Sequence, residues 1–170
     1  SALVSVHPES TFVETEDGWQ LAVHRWRPHG DRSCETGAVV MLHGLATNRI
    51  NLHPDEEHSI ALSLAQDGFD VFAIELRGAG LSRCLDEARP KDWGFGDYAA
   101  KDLPTALSFI RGKIEGRPLH ALGHSMGGML IPRIAKACPS VRGFISLAGS
   151  NIPLARKLVD QYEYLAQAGD

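Results

Sequence analysis

What this chain has little of narrows its nature first. It holds three cysteines, Cys34, Cys84 and Cys138, an odd number at wide spacing. That suits neither a disulfide framework nor a zinc site, so a reducing, cytoplasmic setting is the expectation. No apolar run approaches the ~20 residues a helix needs to cross a bilayer, and no transmembrane segment is expected. The N-terminus lacks both the basic start and the apolar middle of a signal peptide. Net charge is small too: −4 gives no electrostatic reason to expect nucleic acid or an anionic membrane as partner. No phosphate-cradling G-x-G-x-x-G occurs, and no cofactor is expected. Histidine is missing from the whole stretch after His124.

What is present is the making of one domain. With 170 residues, 44% hydrophobic and 22% charged, the chain is long enough for one real core and too short for two. Residues 11–27 read as an antiparallel hairpin turning at Asp17-Gly18, with Leu21 and Val23 alternating with polar neighbours. Ala38 to Leu42 is a continuous apolar run, as expected of a strand covered on both faces, and it ends in His43-Gly44-Leu45. A loop over 46–53 follows. Pro54 and the acids Asp55, Glu56 and Glu57 then predict a helix start, and Gly68 its stop. A second buried strand, Val71 to Ile74, runs into Glu75-Leu76-Arg77-Gly78-Ala79-Gly80-Leu81-Ser82. Residues 83–96 read as a loop. A helix is expected from Asp97 to about Gly112, with a kink or restart near Asp102 because Pro104 interrupts it.

The organising stretch is Leu119 to Gly128. An apolar run ends in Gly123-His124-Ser125-Met126-Gly127, a G-x-S-x-G, and a helix over 129–137 is expected to follow, with Pro132 tolerable only near its first turns. Strand, sharp turn and helix place Ser125 at the corner. Glycines two positions either side avoid collision with the adjoining strand and helix. The helix start points unpaired N–H groups and a positive dipole end at the same spot. A nucleophile elbow is the direct reading. Val141 to Ala148 is a further buried-type strand, and residues 152–168 carry apolar side chains near helical spacing. Parallel strands joined by helical crossovers make an α/β sheet covered on both faces.

Three segments carry a resemblance: His43-Gly44 closing one strand, Glu75 to Ser82 closing the next, and Gly123 to Gly128. In these, in this order and at about this spacing, the chain resembles the α/β-hydrolase family, in its esterase/lipase-like branch. The stretch Asn48 to Ser82 also looks like bacterial members related to polyester synthases and lipases. The resemblance implies an α/β-hydrolase core over residues 1–150, a mostly parallel sheet with an N-terminal antiparallel hairpin and helices on both faces. Residues 151–170 would begin a lid. It implies Ser125 as nucleophile toward a small-molecule ester of an apolar acyl group. The backbone N–H groups of Met126 and Leu45 would form the oxyanion hole, with His43, Gly44, Gly123, His124 and Gly127 as elbow and support.

The triad does not close within these residues. The family's order is Ser, then Asp or Glu, then His, and Asp160 sits in the expected terminal helix rather than after a strand. The expectation is a fragment: the gene product continues past Asp170, and residues 1–170 alone turn over little ester. Acyltransferase or peptidase chemistry on the same fold, and a non-catalytic binder, remain alternatives. Three further groups have plainer readings. The His53 to His58 cluster does not match H-E-x-x-H, and no metal is expected there. Glu75 and Arg77 are expected to pair at the strand end. Trp93 and Phe95 are read either as an acyl-pocket lining or as scaffold packing.

Overall fold

The computed structural model describes residues 7–28, 36–88, 91–138 and 141–147. The expected lid segment 151–170, with Asp160, lies outside the described residues, as does Cys34. β1 (Glu9–Glu14) and β2 (Trp19–Trp26) form the antiparallel hairpin, turning at Thr15 to Gly18. Gly18 has φ of 79°, a left-handed value that glycine adopts without strain. β3 (Ala38–Leu42), α1 (Ile60–Gln66) and β4 (Asp70–Glu75) follow. A short β5 (Arg83–Cys84), inside the stretch expected to be loop, pairs with the start of β2. One helical turn, α2 (Phe95–Asp97), passes through a π-turn at Tyr98–Asp102 into α3 (Leu103–Ile114). β6 (Leu119–His124), α4 (Met126–Ala137) and β7 (Val141–Leu147) complete the order.

The sheet runs β1-β2-β4-β3-β6-β7; β3, β4, β6 and β7 are mutually parallel and β1 and β2 antiparallel. Period-two alternation divides its core. Val40, Leu42, Phe72 and Ile74 face α3 and α4, packing with Leu103, Ala106, Ile110, Leu130 and Ile134. Val39, Met41, Val71 and Ala73 face α1, packing with Leu62 and Ala65. Each such valine or leucine contributes about 1.5–3 kcal/mol by leaving water, which is why the apolar runs end up central. The exit of β3 leads to α1 on one face and the exit of the neighbouring β6 leads to α4 on the other. Where adjacent strands send their chains to opposite faces, a crevice opens at their C-terminal ends.

Two expected helix starts need correction. Pro54 to Glu57 do not open a helix: Asp55 accepts from the His58 N–H at 2.8 Å to make a turn, and α1 begins at Ile60. Its cap is Ser59, whose hydroxyl oxygen accepts from Leu62 N–H at 2.9 Å, the short-side-chain capping that acids in a preceding turn cannot supply. The helix after the elbow starts at Met126, not 129, because the reversed backbone at Ser125 lets it begin at once. Pro132 therefore lies in its interior, where it withholds one helical N–H. Where a kink or restart was expected near Asp102 the helix does not break: it runs through the π-turn at Tyr98–Asp102 with right-handed backbone into α3, whose first turn holds Pro104.

Candidate active site

At the crevice, β6 ends and α4 begins with a single residue between them. Ser125 has φ 52° and ψ −114°, one of three non-glycine residues with positive φ among the described residues. Such a conformation costs about 1–3 kcal/mol and persists only where the surroundings impose it. The surroundings are glycines. A Cβ on Gly123 would overlap the backbone of Gly127, and a Cβ on Gly127 would lie 2.5 Å from Leu42 O and 2.7 Å from His43 O. Ser125 N–H donates to Leu147 O of β7 at 2.7 Å, which fixes the corner from its other side. The Ser125 side chain makes no capping hydrogen bond to α4. The first amides of that helix, Met126 onward, have no intrahelical acceptor and carry the positive end of the dipole.

Facing the elbow is the loop after β3. Gly44 sits so close that a Cβ on it would lie 3.4 Å from Ser125 Cβ, 3.1 Å from His124 Nδ1 and 3.5 Å from Asn51 Oδ1. His43 is buried, and both ring nitrogens are engaged: Nδ1 donates to Gly44 O at 2.7 Å, and Nε2 accepts from Leu76 N–H at 3.1 Å. That pair of bonds fixes the neutral tautomer. Burial pushes its pKa below the usual 6.5, against the pull of the Gly44 carbonyl and the charge of Glu75. A ring so held cannot take a proton from Ser125. His124 leaves β6 with its Nδ1 buried and, among the described residues, without a hydrogen-bond partner. Leu45 is 56% exposed at the lip, whereas the Met126 side chain is buried in the core.

Two buried ionic clusters brace the crevice, and the sequence pairing of Glu75 with Arg77 is wrong for both. Glu75, at the end of β4, turns to β2 and the loop: its Oε2 lies 3.0 Å from His24 Nε2, and Oε1 accepts from Arg49 Nη1 at 3.2 Å and Arg49 N–H at 3.3 Å. Leu81 N–H donates to Oε2 at 2.7 Å. Burial alone would raise the Glu75 pKa; the bonds from His24, Leu81 and Arg49 outweigh it and hold the carboxyl at about 2. Arg77 lies beyond the strand end and turns instead to the start of α3 and the hairpin turn. Its Nε donates to Asp102 at 2.8 Å and its Nη atoms donate to Asp17 at 2.9 and 3.0 Å. Burial opposes the guanidinium charge, but Asp17 and Asp102 raise its pKa above the usual arginine value. Gly78 and Gly80 serve the turn, since a Cβ on either would overlap Trp93 or the Glu75 carboxylate. Trp93 packs edge-on against Trp19 at 4.9 Å and donates to Tyr98 Oη, while Arg133 covers Phe95 at 4.7 Å. Both aromatics pack on the scaffold.

The sequence reading missed Thr47, Arg49 and Asn51, which bind the loop from within or through Glu75. The usable signal was a cluster of short polar residues directly after a buried strand ending in His-Gly. His53 Nδ1 lies 2.6 Å from the Ser59 hydroxyl, and among the described residues no three His, Cys, Asp or Glu side chains gather as a metal site.

This strand order, with a strained serine between β6 and α4, defines a class of fold. Residues 37–168 match the sequence profile of the alpha/beta hydrolase fold. The chain belongs to that family. It is 33% identical to gastric triacylglycerol lipase of Rattus norvegicus over 88% of its own length and 37% of that protein. It is 32% identical to human lysosomal acid lipase/cholesteryl ester hydrolase over 75% of its length and 36% of that protein. Among solved structures, an esterase of Pyrococcus furiosus superposes with a TM-score of 0.70 at 18% identity, over 96% of this chain and 56% of that one. The chain thus spans little more than a third of the length of the lipases it matches.

Proposed function

We propose that this chain carries the nucleophile and oxyanion-binding half of a serine hydrolase that cleaves carboxylic esters of apolar acyl groups. One observation carries the reading: Ser125 is held in strained backbone geometry at a helix start, with the Gly44 loop against its Cβ. Lipases among the relatives support the substrate class. In this reading Ser125 Oγ attacks the ester carbonyl as its proton passes to a histidine base. The Met126 and Leu45 amides meet the negative charge on the carbonyl oxygen. Collapse returns the proton to the leaving alcohol and leaves the acyl group on Ser125. Water then repeats the two steps and releases the acid.

The base and its acid partner come, on this reading, from outside the described residues. His43 is locked, His24 faces Glu75, and His53 and His58 bond Ser59 and Asp55. The core over residues 1–150 and a lid beginning at 151 are part of the same proposal, and so is a cytoplasmic compartment. Fractionation of the complete protein checks the compartment. A fluorophosphonate probe tests the chemistry: the complete protein should label at Ser125 and hydrolyse p-nitrophenyl esters. Ser125→Ala should do neither, and residues 1–170 alone should turn over little. Absence of labelling in the complete protein would leave a binding protein on this fold.

A further inference from the structure

The loop that faces Ser125 is built from two peptide groups, one on each side of Gly44, and both are gripped by side chains. The N–H of Gly44 donates to Asn51 Oδ1 at 3.2 Å. The carbonyl of Gly44 accepts twice, from His43 Nδ1 at 2.7 Å and from the Thr47 hydroxyl at 3.0 Å. That carbonyl belongs to the same planar unit as the N–H of Leu45, and no described peptide is cis. In a trans unit the two bonds point in opposite directions. Whatever fixes the Gly44 oxygen therefore fixes where the Leu45 hydrogen aims.

The holders are themselves anchored. Asn51 ends the 3-10 turn Arg49–Asn51, which Asn48 caps by accepting from Ile50 N–H at 2.9 Å. Arg49 is bound to the buried Glu75 carboxylate through both its amide and its guanidinium. Ala46, between the gripped unit and Thr47, has φ of 55°, so the chain doubles back to bring the Thr47 hydroxyl over the Gly44 carbonyl.

The geometry points to Thr47 and Asn51 as positioning residues that aim the Leu45 N–H at the oxygen of the substrate carbonyl. Neither touches substrate. Thr47 turns the peptide that carries the donor, and Asn51 holds the peptide before it. This rests on the esterase reading above. Removing an oxyanion donor outright costs about 100–1,000-fold in rate, so loosening its aim should cost less, about tenfold in kcat. Because the donor acts on charge that develops during reaction, KM should stay within about twofold.

The test uses the complete protein with a p-nitrophenyl ester and a fluorophosphonate. Thr47 is exposed, so Thr47→Val keeps its shape and removes only the hydroxyl without threatening the fold. The expected result is a roughly tenfold fall in kcat and in phosphonylation rate, with KM and melting temperature nearly unchanged. Thr47→Ser, which keeps the donor, should restore most of the rate. Asn51→Asp keeps an acceptor and should fall less than Asn51→Leu. A Thr47→Val enzyme as fast as wild type, a Thr47→Ser variant as slow as Thr47→Val, or a loss confined to KM would overturn the assignment while leaving the esterase reading intact. A wild-type protein that neither labels nor hydrolyses would remove both.

Discussion

The two walls of the crevice are held in place by different physics. The elbow is held by exclusion: glycines at 123 and 127 leave no room for a methyl group on either side of the strained serine. The opposing loop is held by attraction, through side-chain bonds from His43, Thr47, Asn51 and, by way of Arg49, Glu75. A wall of the first kind tolerates loss of polar groups and no gain of volume. A wall of the second kind tolerates small volume changes and no loss of partners.

Substitution can break that contrast. The largest effect belongs to the elbow: Gly127→Ala drives a Cβ into two backbone carbonyls that cannot move, and should cost on the order of 3–4 kcal/mol in chemical denaturation. Glu75→Gln comes next, at about 2 kcal/mol, because buried donors lose a charged acceptor. It should also change the acid limb. A carboxyl at about 2 in the fold against its ordinary 4.5 binds fewer protons folded than unfolded. Its stabilisation is complete above 4.5 and is lost as pH falls toward 2, so urea midpoints across that window should fall less steeply in the variant than in wild type. The loss due to His43, whose pKa is pushed below 6.5, begins nearer neutrality and should persist in both. Ser125→Gly should raise stability by about 1 kcal/mol as the positive φ is relieved, and abolish labelling. Smallest is Gly44→Ala, under about 1 kcal/mol, because its one tight contact is the His124 ring nitrogen at 3.1 Å, while Ser125 Cβ and Asn51 Oδ1 lie at ordinary van der Waals distance. Equal costs at Gly127 and Gly44 would erase the distinction between the walls.

The same contrast explains what could be read in the sequence. Exclusion leaves a local signature: a corner that admits only glycine writes glycine at fixed offsets, so Ser125 and its flanks were legible. The all-buried strands β3 and β4 were legible for a similar reason, since apolar runs have nowhere else to go. Attraction leaves a signature divided between distant positions. Glu75 meets Arg49 across 26 residues, and Arg77 meets Asp17 across 60, so proximity along the chain suggested the wrong pairing of Glu75 with Arg77. The starts of α1 and α4 were misplaced because a serine cap and a reversed serine outweigh the acids and propensities around them.

The hydrogen bond from the Ser125 amide to Leu147 has a mechanical corollary. β7 is the outermost strand on its side of the sheet among the described residues, and Phe144 and Ile145 on it are more than half exposed. The corner residue is thus tethered to the sheet's own margin. A slip of that margin by one residue would pull on the serine directly, so the register of β7 against β6 and the shape of the corner are coupled.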